Sequence, residues 1–179
     1  FDVIGLGENS IDIVHRVAGP IAPNAKIRID SRRVSPGGQV ATTLCTCARL
    51  GLRTSYLGTF GSDENGRLAS ATLRAHGVDT SHAITREAPN RYAVIVVDGS
   101  GERCVLWQRH PALAIEPESI EAPLLASARL LHVDNVDEDA ATHPPRAARA
   151  AGVQVTTDID AVTGRTSELI AAATIPIMA

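Results

Sequence analysis

The chain has 179 residues, the size of one domain, and its 44% hydrophobic content is too high for a disordered segment. Seventeen basic against twenty acidic side chains leave a net charge of −3, which argues against a nucleic-acid binder. No apolar run approaches the roughly 18 residues of a membrane span, and three cysteines imply no disulfide framework.

Asp2-Val3-Ile4-Gly5-Leu6-Gly7 is a short apolar run ending in glycine, which predicts a central strand. Ile11 to Val17 is rich in β-branched residues and predicts a second strand. Lys26-Ile27-Arg28-Ile29-Asp30 alternates strictly, so a strand over 26–34 is expected to bury Ile27 and Ile29 on one face. Pro36-Gly37-Gly38 then breaks the chain. From Gln39 the pattern becomes helical: Val40, Leu44, Cys47 and Leu50 form one apolar stripe, with Gly51 as the stop. Cys45 and Cys47 lie two apart and read as small core fillers, not as metal ligands.

Arg53 to Gly58 is the next strand. Ser62 or Asp63 can cap a helix carrying Leu68, Ala71, Thr72 and Ala75. Tyr92 to Val97 and Arg103 to Trp107 flank Asp98-Gly99-Ser100-Gly101, a strong hairpin signal. Strand and helix then alternate: strand Leu130–Val133, helix Pro145–Ala151, strand Val153–Thr157, helix Ser167–Ala173. Residues 174–179 read as a buried final strand. A chain that stops inside a core element is expected to be the front part of a longer protein. The βα units predict a parallel sheet with helices on both faces. The strands at 11–17, 26–34, 92–97 and 103–107 have no intervening helices, and a small second sheet is the economical place for them.

Ligands of open parallel sheets bind beyond the carboxyl ends of the strands. Three candidates fall there. Asp12 is an acid inside an apolar strand and could accept hydrogen bonds from two hydroxyls of a polyol; a solvated strand residue is the plainer alternative. Gly37 and Gly38 leave the backbone uncovered at a helix start, beside Gln39 and, one turn on, Thr42; the alternative is a tight turn that merely begins a helix. Asp134-Asn135 follows the strand 130–133, a place where polar residues are common. Gly5-x-Gly7 matches part of a dinucleotide fingerprint, but Ser10 holds the third glycine position and a strand follows where a helix is required. His76, His82, His132 and His143 share no ligand spacing, and Asp158-Ile159-Asp160 is as well explained by capping of the next turn.

Four separate pieces carry a resemblance: Ser35-Pro36-Gly37-Gly38-Gln39-Val40-Ala41-Thr42, Ala48-Arg49-Leu50-Gly51, Tyr56-Leu57-Gly58 and Gly61-Ser62-Asp63-Glu64-Asn65-Gly66. In order and spacing they resemble the N-terminal signature of the ribokinase-like (PfkB family) carbohydrate kinases. Gly7 followed by Asp12, and Arg74 to Thr80, fit the same pattern, so the resemblance runs from residue 2 to 179. It implies an α/β fold, a three-layer αβα sandwich with a small β-sheet lid built from the four unplaced strands. The whole of 1–179 would be the N-terminal part of one such domain, truncated before its nucleotide-binding part.

The resemblance also implies ATP-dependent phosphorylation of a sugar hydroxyl, with Mg2+, and a monovalent cation as a further candidate cofactor. The expected partner is a small-molecule sugar or nucleoside, with no nucleic acid and no membrane. A homodimer through the lid and a cytoplasmic location are expected too. Carried over by position, Asp12, Gly37, Gly38, Gln39, Thr42 and Asp134 would bind substrate; Arg103, Trp107 and Arg109 would make lid contacts. A phosphosugar would need cations such as Arg28, Arg103 and Arg109.

Two positions depart from the family: Thr42 stands where many members have asparagine, and Gln39 where many have lysine or another polar residue. The second signature, a Gly-Ala-Gly-Asp type turn that supplies anion hole and aspartate base, does not occur, nor does the Asn-x-x-Glu stretch that organises magnesium. No catalytic residue and no metal ligand is therefore assigned, and these 179 residues alone are expected to be inactive and poorly stable. A non-catalytic sugar- or nucleoside-binding module and a nucleotide-dependent oxidoreductase are the alternatives.

Overall fold

The computed structural model describes residues 1–178. Its main sheet is parallel throughout, with strand order β10-β9-β1-β4. The strands are β1 (Val3–Leu6), β4 (Thr54–Leu57), β9 (Leu130–Asp134) and β10 (Gln154–Asp158). All four residues of β1 are buried, as a central strand covered on both faces requires. Alternate side chains divide the core in two. Val3 and Tyr56 pack with Val40 and Leu44 of α1 (Gln39–Arg49). Ile4, Leu6, Leu131 and Val155 pack on the other face with Leu125 of α3 (Ala122–Ala126), Ala148 of α4 (His143–Ala150) and Leu169 of α5 (Thr166–Ala172). Helix, sheet and helix form three layers.

The helix-free strands form a second sheet, order β3-β2-β7-β8, with β2 (Ser10–Val17), β3 (Ile29–Gly37), β7 (Tyr92–Val97) and β8 (Arg103–Gln108). Its pairings are antiparallel except that β2 and β7 run parallel. A two-stranded ribbon, β5 (Thr59–Gly61) with β6 (Ile84–Arg86), lies past β4. α2 (Glu64–Ala75) follows β5, and its first turn is capped by Asp63, which accepts from the Gly66 amide at 2.9 Å. No helix among the described residues is long and apolar enough to cross a membrane.

Several expectations need correction. The strand expected over 26–34 runs instead from Ile29 to Gly37, so Pro36 and Gly37 continue it and the break falls at Gly38 alone. Ile27 lies before β3, and it and Ile29 are both exposed at the end of an outer strand. Leu50 lies past the end of α1 and is 77% exposed. In α2 the buried face is Gly66, Ala69 and Leu73, about one residue or 100° away from the expected stripe. The close seat of Gly66 on the Gly61 backbone fixes that rotation. Of the expected buried final strand, Ile175 and Met178 make single bridges to Thr156 and Ile159, and Ile175, Ile177 and Met178 are exposed; Ala179 lies outside the described residues.

Candidate substrate site at the junction of the two sheets

Two chain junctions meet at one corner. After β1 the chain passes through Gly7, Glu8 and Asn9 into β2; after β3 it turns at Gly38 into α1. Gly38 has φ of +95°, and a Cβ there would lie 2.6 Å from both the Asn9 Cα and the Glu8 carbonyl oxygen. No side chain caps α1. Instead the Ala41 amide donates to the Glu8 carbonyl at 3.1 Å, so one loop's backbone satisfies the other's free N–H. A Cβ on Gly37 would lie 2.8 Å from the Asp12 Cγ, so the missing side chain at 37 is the space that the Asp12 carboxylate occupies.

Asp12 is half-buried, and burial raises its pKa above the ordinary carboxylate value against one weak bond from Ser10 Oγ at 3.3 Å. The register places Ser35, Asp12, Ala93 and Trp107 side by side across the four strands, on one face of the second sheet. Gln39 Oε1 is buried with no partner among the described residues. The corner thus offers a carboxylate with unfilled acceptor capacity and, at the start of α1, an unpaired amide oxygen; Trp107, 63% exposed, lies two strands from Asp12 on the same face. Both oxygens are acceptors that suit hydroxyl groups.

Beneath the corner lies a buried polar network. Asp134 accepts from the Glu8 amide at 2.7 Å and from the Val136 amide at 3.1 Å. Its carboxylate fills the space beside Gly7, where a Cβ would approach Oδ2 to 2.5 Å. Full burial pushes its pKa up to about 7, and the two amide bonds only partly oppose that. The Tyr56 hydroxyl donates to the Gly7 carbonyl at 2.8 Å and accepts from Asn9 Nδ2 at 2.7 Å. Asn90 Nδ2 donates to Asn9 Oδ1 at 3.0 Å. Arg91, 2% exposed, donates to the Leu113 carbonyl at 2.6 Å and to Asp137 at 2.7 Å.

Of the expected residues, Asp12 and Gly37 touch, and Gly38 and Gln39 follow Gly37 directly at the start of α1. Thr42 lies one turn down α1 and faces a groove toward α2. Asp134, expected to reach a ligand, is held beneath the loop by backbone amides. Arg109 is engaged by Glu8 at 2.8 Å, with its guanidinium 4.6 Å from the Trp107 ring centroid. Arg103 is at the opposite end of β8, about 13 Å from Trp107 at 3.3 Å per residue. Arg28 is exposed and paired with Asp30. Sequence reasoning missed Glu8, Asn9, Tyr56, Asn90, Arg91 and Asp137. Only the placement of Asn90-Arg91 directly before an apolar strand hinted at buried polar contacts there.

A parallel αβα body joined at its strand ends to a separate small sheet is the ribokinase-like class of fold. The Arabidopsis thaliana ribokinase structure complexed with ribose and ATP superimposes with a TM-score of 0.80 at 17% identity, over 99% of this chain and 59% of that one. The chain belongs to the pfkB family of carbohydrate kinases, whose family model matches residues 2–177. It is 30% identical over 157 residues to an ATP-dependent ribose-1-phosphate kinase of Halopiger xanaduensis, covering 87% of this chain and 53% of that protein. It is 32% identical over 170 residues to a 5-dehydro-2-deoxygluconokinase of Shouchella clausii, covering 89% and 51%. The chain spans about half the length of these relatives.

Proposed function

We propose that the protein carrying this chain phosphorylates a hydroxyl of a sugar or sugar derivative with ATP, and that the chain supplies the substrate-binding half. The observation that carries this reading is the contact of Gly37 with Asp12 at the α1 corner. It leaves the Asp12 carboxylate, with unfilled acceptor capacity, against the glycine turn that starts α1, and a carboxylate of that kind suits the hydroxyls of a polyol. ATP would supply the γ-phosphoryl group. The residues of this chain bind and orient. Asp12 accepts from two neighbouring hydroxyls, and those bonds favour its ionised form against the effect of burial. Gln39 Oε1 accepts from a third hydroxyl. Trp107 covers one side of the ring. Among the described residues no three His, Cys, Asp or Glu side chains come together, so none is assigned to magnesium.

In this reading the second sheet is the lid, and its contact with substrate is what excludes water. Val34 and Leu106 are exposed on the face of that sheet opposite Asp12 and Trp107, and a second copy of the chain covering them would make the lid-paired dimer. The cysteines 45, 47 and 104 are all free, which suits a reducing cytoplasm.

The test is a thermal-shift panel of sugars and nucleosides on the full-length protein, followed by calorimetry with the best compound. Asp12→Ala is expected to weaken its binding by roughly 10- to 100-fold, as loss of hydrogen bonds to a charged acceptor implies. Unchanged affinity in that variant would remove Asp12 from the site and the reading with it.

A further inference from the structure

The sugar corner uses only the first turn of α1. Further along, the helix lines a groove of about 380 Å³, closed on its other sides by α2 and by the free edge of β3. Its charge is one-sided. Arg33 of β3, Arg49 of α1 and His76 of α2 line it, and no aspartate or glutamate does. Among the described residues neither Arg33 nor Arg49 has a carboxylate within reach, although arginines elsewhere, such as Arg53, Arg91 and Arg146, are paired.

Two guanidinium groups lining one groove repel each other. An anion between them reverses its sign. Planar guanidinium forks match the oxygen geometry of phosphate, and the Ser35 and Thr42 hydroxyls on the same wall add neutral donors. Arg49 lies ten residues from Gln39, about 15 Å along the helix, so that end of the groove is remote from the Asp12 corner, whereas Arg33 is two residues along β3 from Ser35, the neighbour of Asp12.

We propose that this α1–α2–β3 groove binds a small phosphate-bearing metabolite at Arg33 and Arg49. Gly37 lines the groove and also touches Asp12, so the groove begins beside the sugar corner and runs away from it along α1. The proposal does not rest on the sugar reading above.

Calorimetry on the full-length protein with pyrophosphate, inorganic phosphate and, as a non-phosphate control, citrate tests this. Wild type is expected to show a pyrophosphate site that weakens at least tenfold in Arg33→Ala/Arg49→Ala, is largely restored by Arg33→Lys/Arg49→Lys, and is untouched by Asp12→Ala. Both arginines are exposed, and unchanged thermal midpoints will show that the variants fold. Pyrophosphate binding equal in wild type and the double alanine variant, absent from both, or matched by citrate, overturns the proposal. If Asp12→Ala fails to affect sugar binding while the arginine pair still governs pyrophosphate, the sugar reading falls and the groove remains.

Discussion

At Gly38 a single side chain decides whether two junctions can touch. Its φ of +95° disfavours any other residue, and the atoms that a Cβ would meet are backbone, which cannot rotate away. Gly38→Ala is expected to cost about 1–3 kcal/mol in chemical denaturation, as positive φ and overpacking together imply. A loss within about 0.5 kcal/mol, the range of a neutral surface change, would show that the loops are not in register here. Asp134 makes a second residue-scale prediction. Burial raises its folded pKa to about 7, from an ordinary carboxylate value of 3.8, so the folded state holds its proton more tightly than the unfolded chain. The stability it contributes is fully present below the unfolded value and is lost as pH rises through about 7. The stability of wild type minus that of Asp134→Asn should therefore fall between pH 4 and pH 7, roughly the interval between the two pKa values, and then level off. A difference that stays constant in urea titrations across that interval would contradict the burial of the carboxylate.

α2 shows how an element can be legible while its facing is not. The cap at Asp63 and the helical spacing identified the helix. Alanines on both sides of it gave no clear hydrophobic stripe, and Leu68 suggested the wrong one; it is 40% exposed, whereas Leu73 is buried. Leu73→Ala should cost about 2–5 kcal/mol and Leu68→Ala no more than about 0.5 kcal/mol. Equal losses in the two variants would restore the original facing. β3 failed for a related reason. Strict alternation describes a strand with one buried face, but an outer strand needs no buried face at its free end, and pairing with β2 carried the strand on through Pro36. Proline is tolerated there because the N–H it lacks is dispensable on an edge.

For the molecule as a whole, Arg91 is the joint. It lies at the start of β7, bonds Thr59 and Leu113 of the body, and pairs with Asp137 past β9. The second sheet is thereby tied to the strand ends of the first. Arg91→Met removes one member of a buried ion pair and should cost about 3–5 kcal/mol, while Arg91→Met/Asp137→Leu should recover part of that loss. If the double variant is no better than the single one, the pair is not an isolated unit, and the carbonyl bonds of Arg91 dominate.

The strands and helices of the main βα units, the hairpin at 98–101 and the need for a second sheet were written in the chain, because period, turn chemistry and glycine placement are local properties; the short β5–β6 ribbon and α3 were not. Helix facing, the depth of Asp134 and the polar network of Asn9, Asn90 and Arg91 were decided only when distant segments packed. Whether a polar side chain meets solvent, a ligand or another buried group depends on neighbours up to 126 residues away in the chain, as the Asp134 bond to the Glu8 amide illustrates.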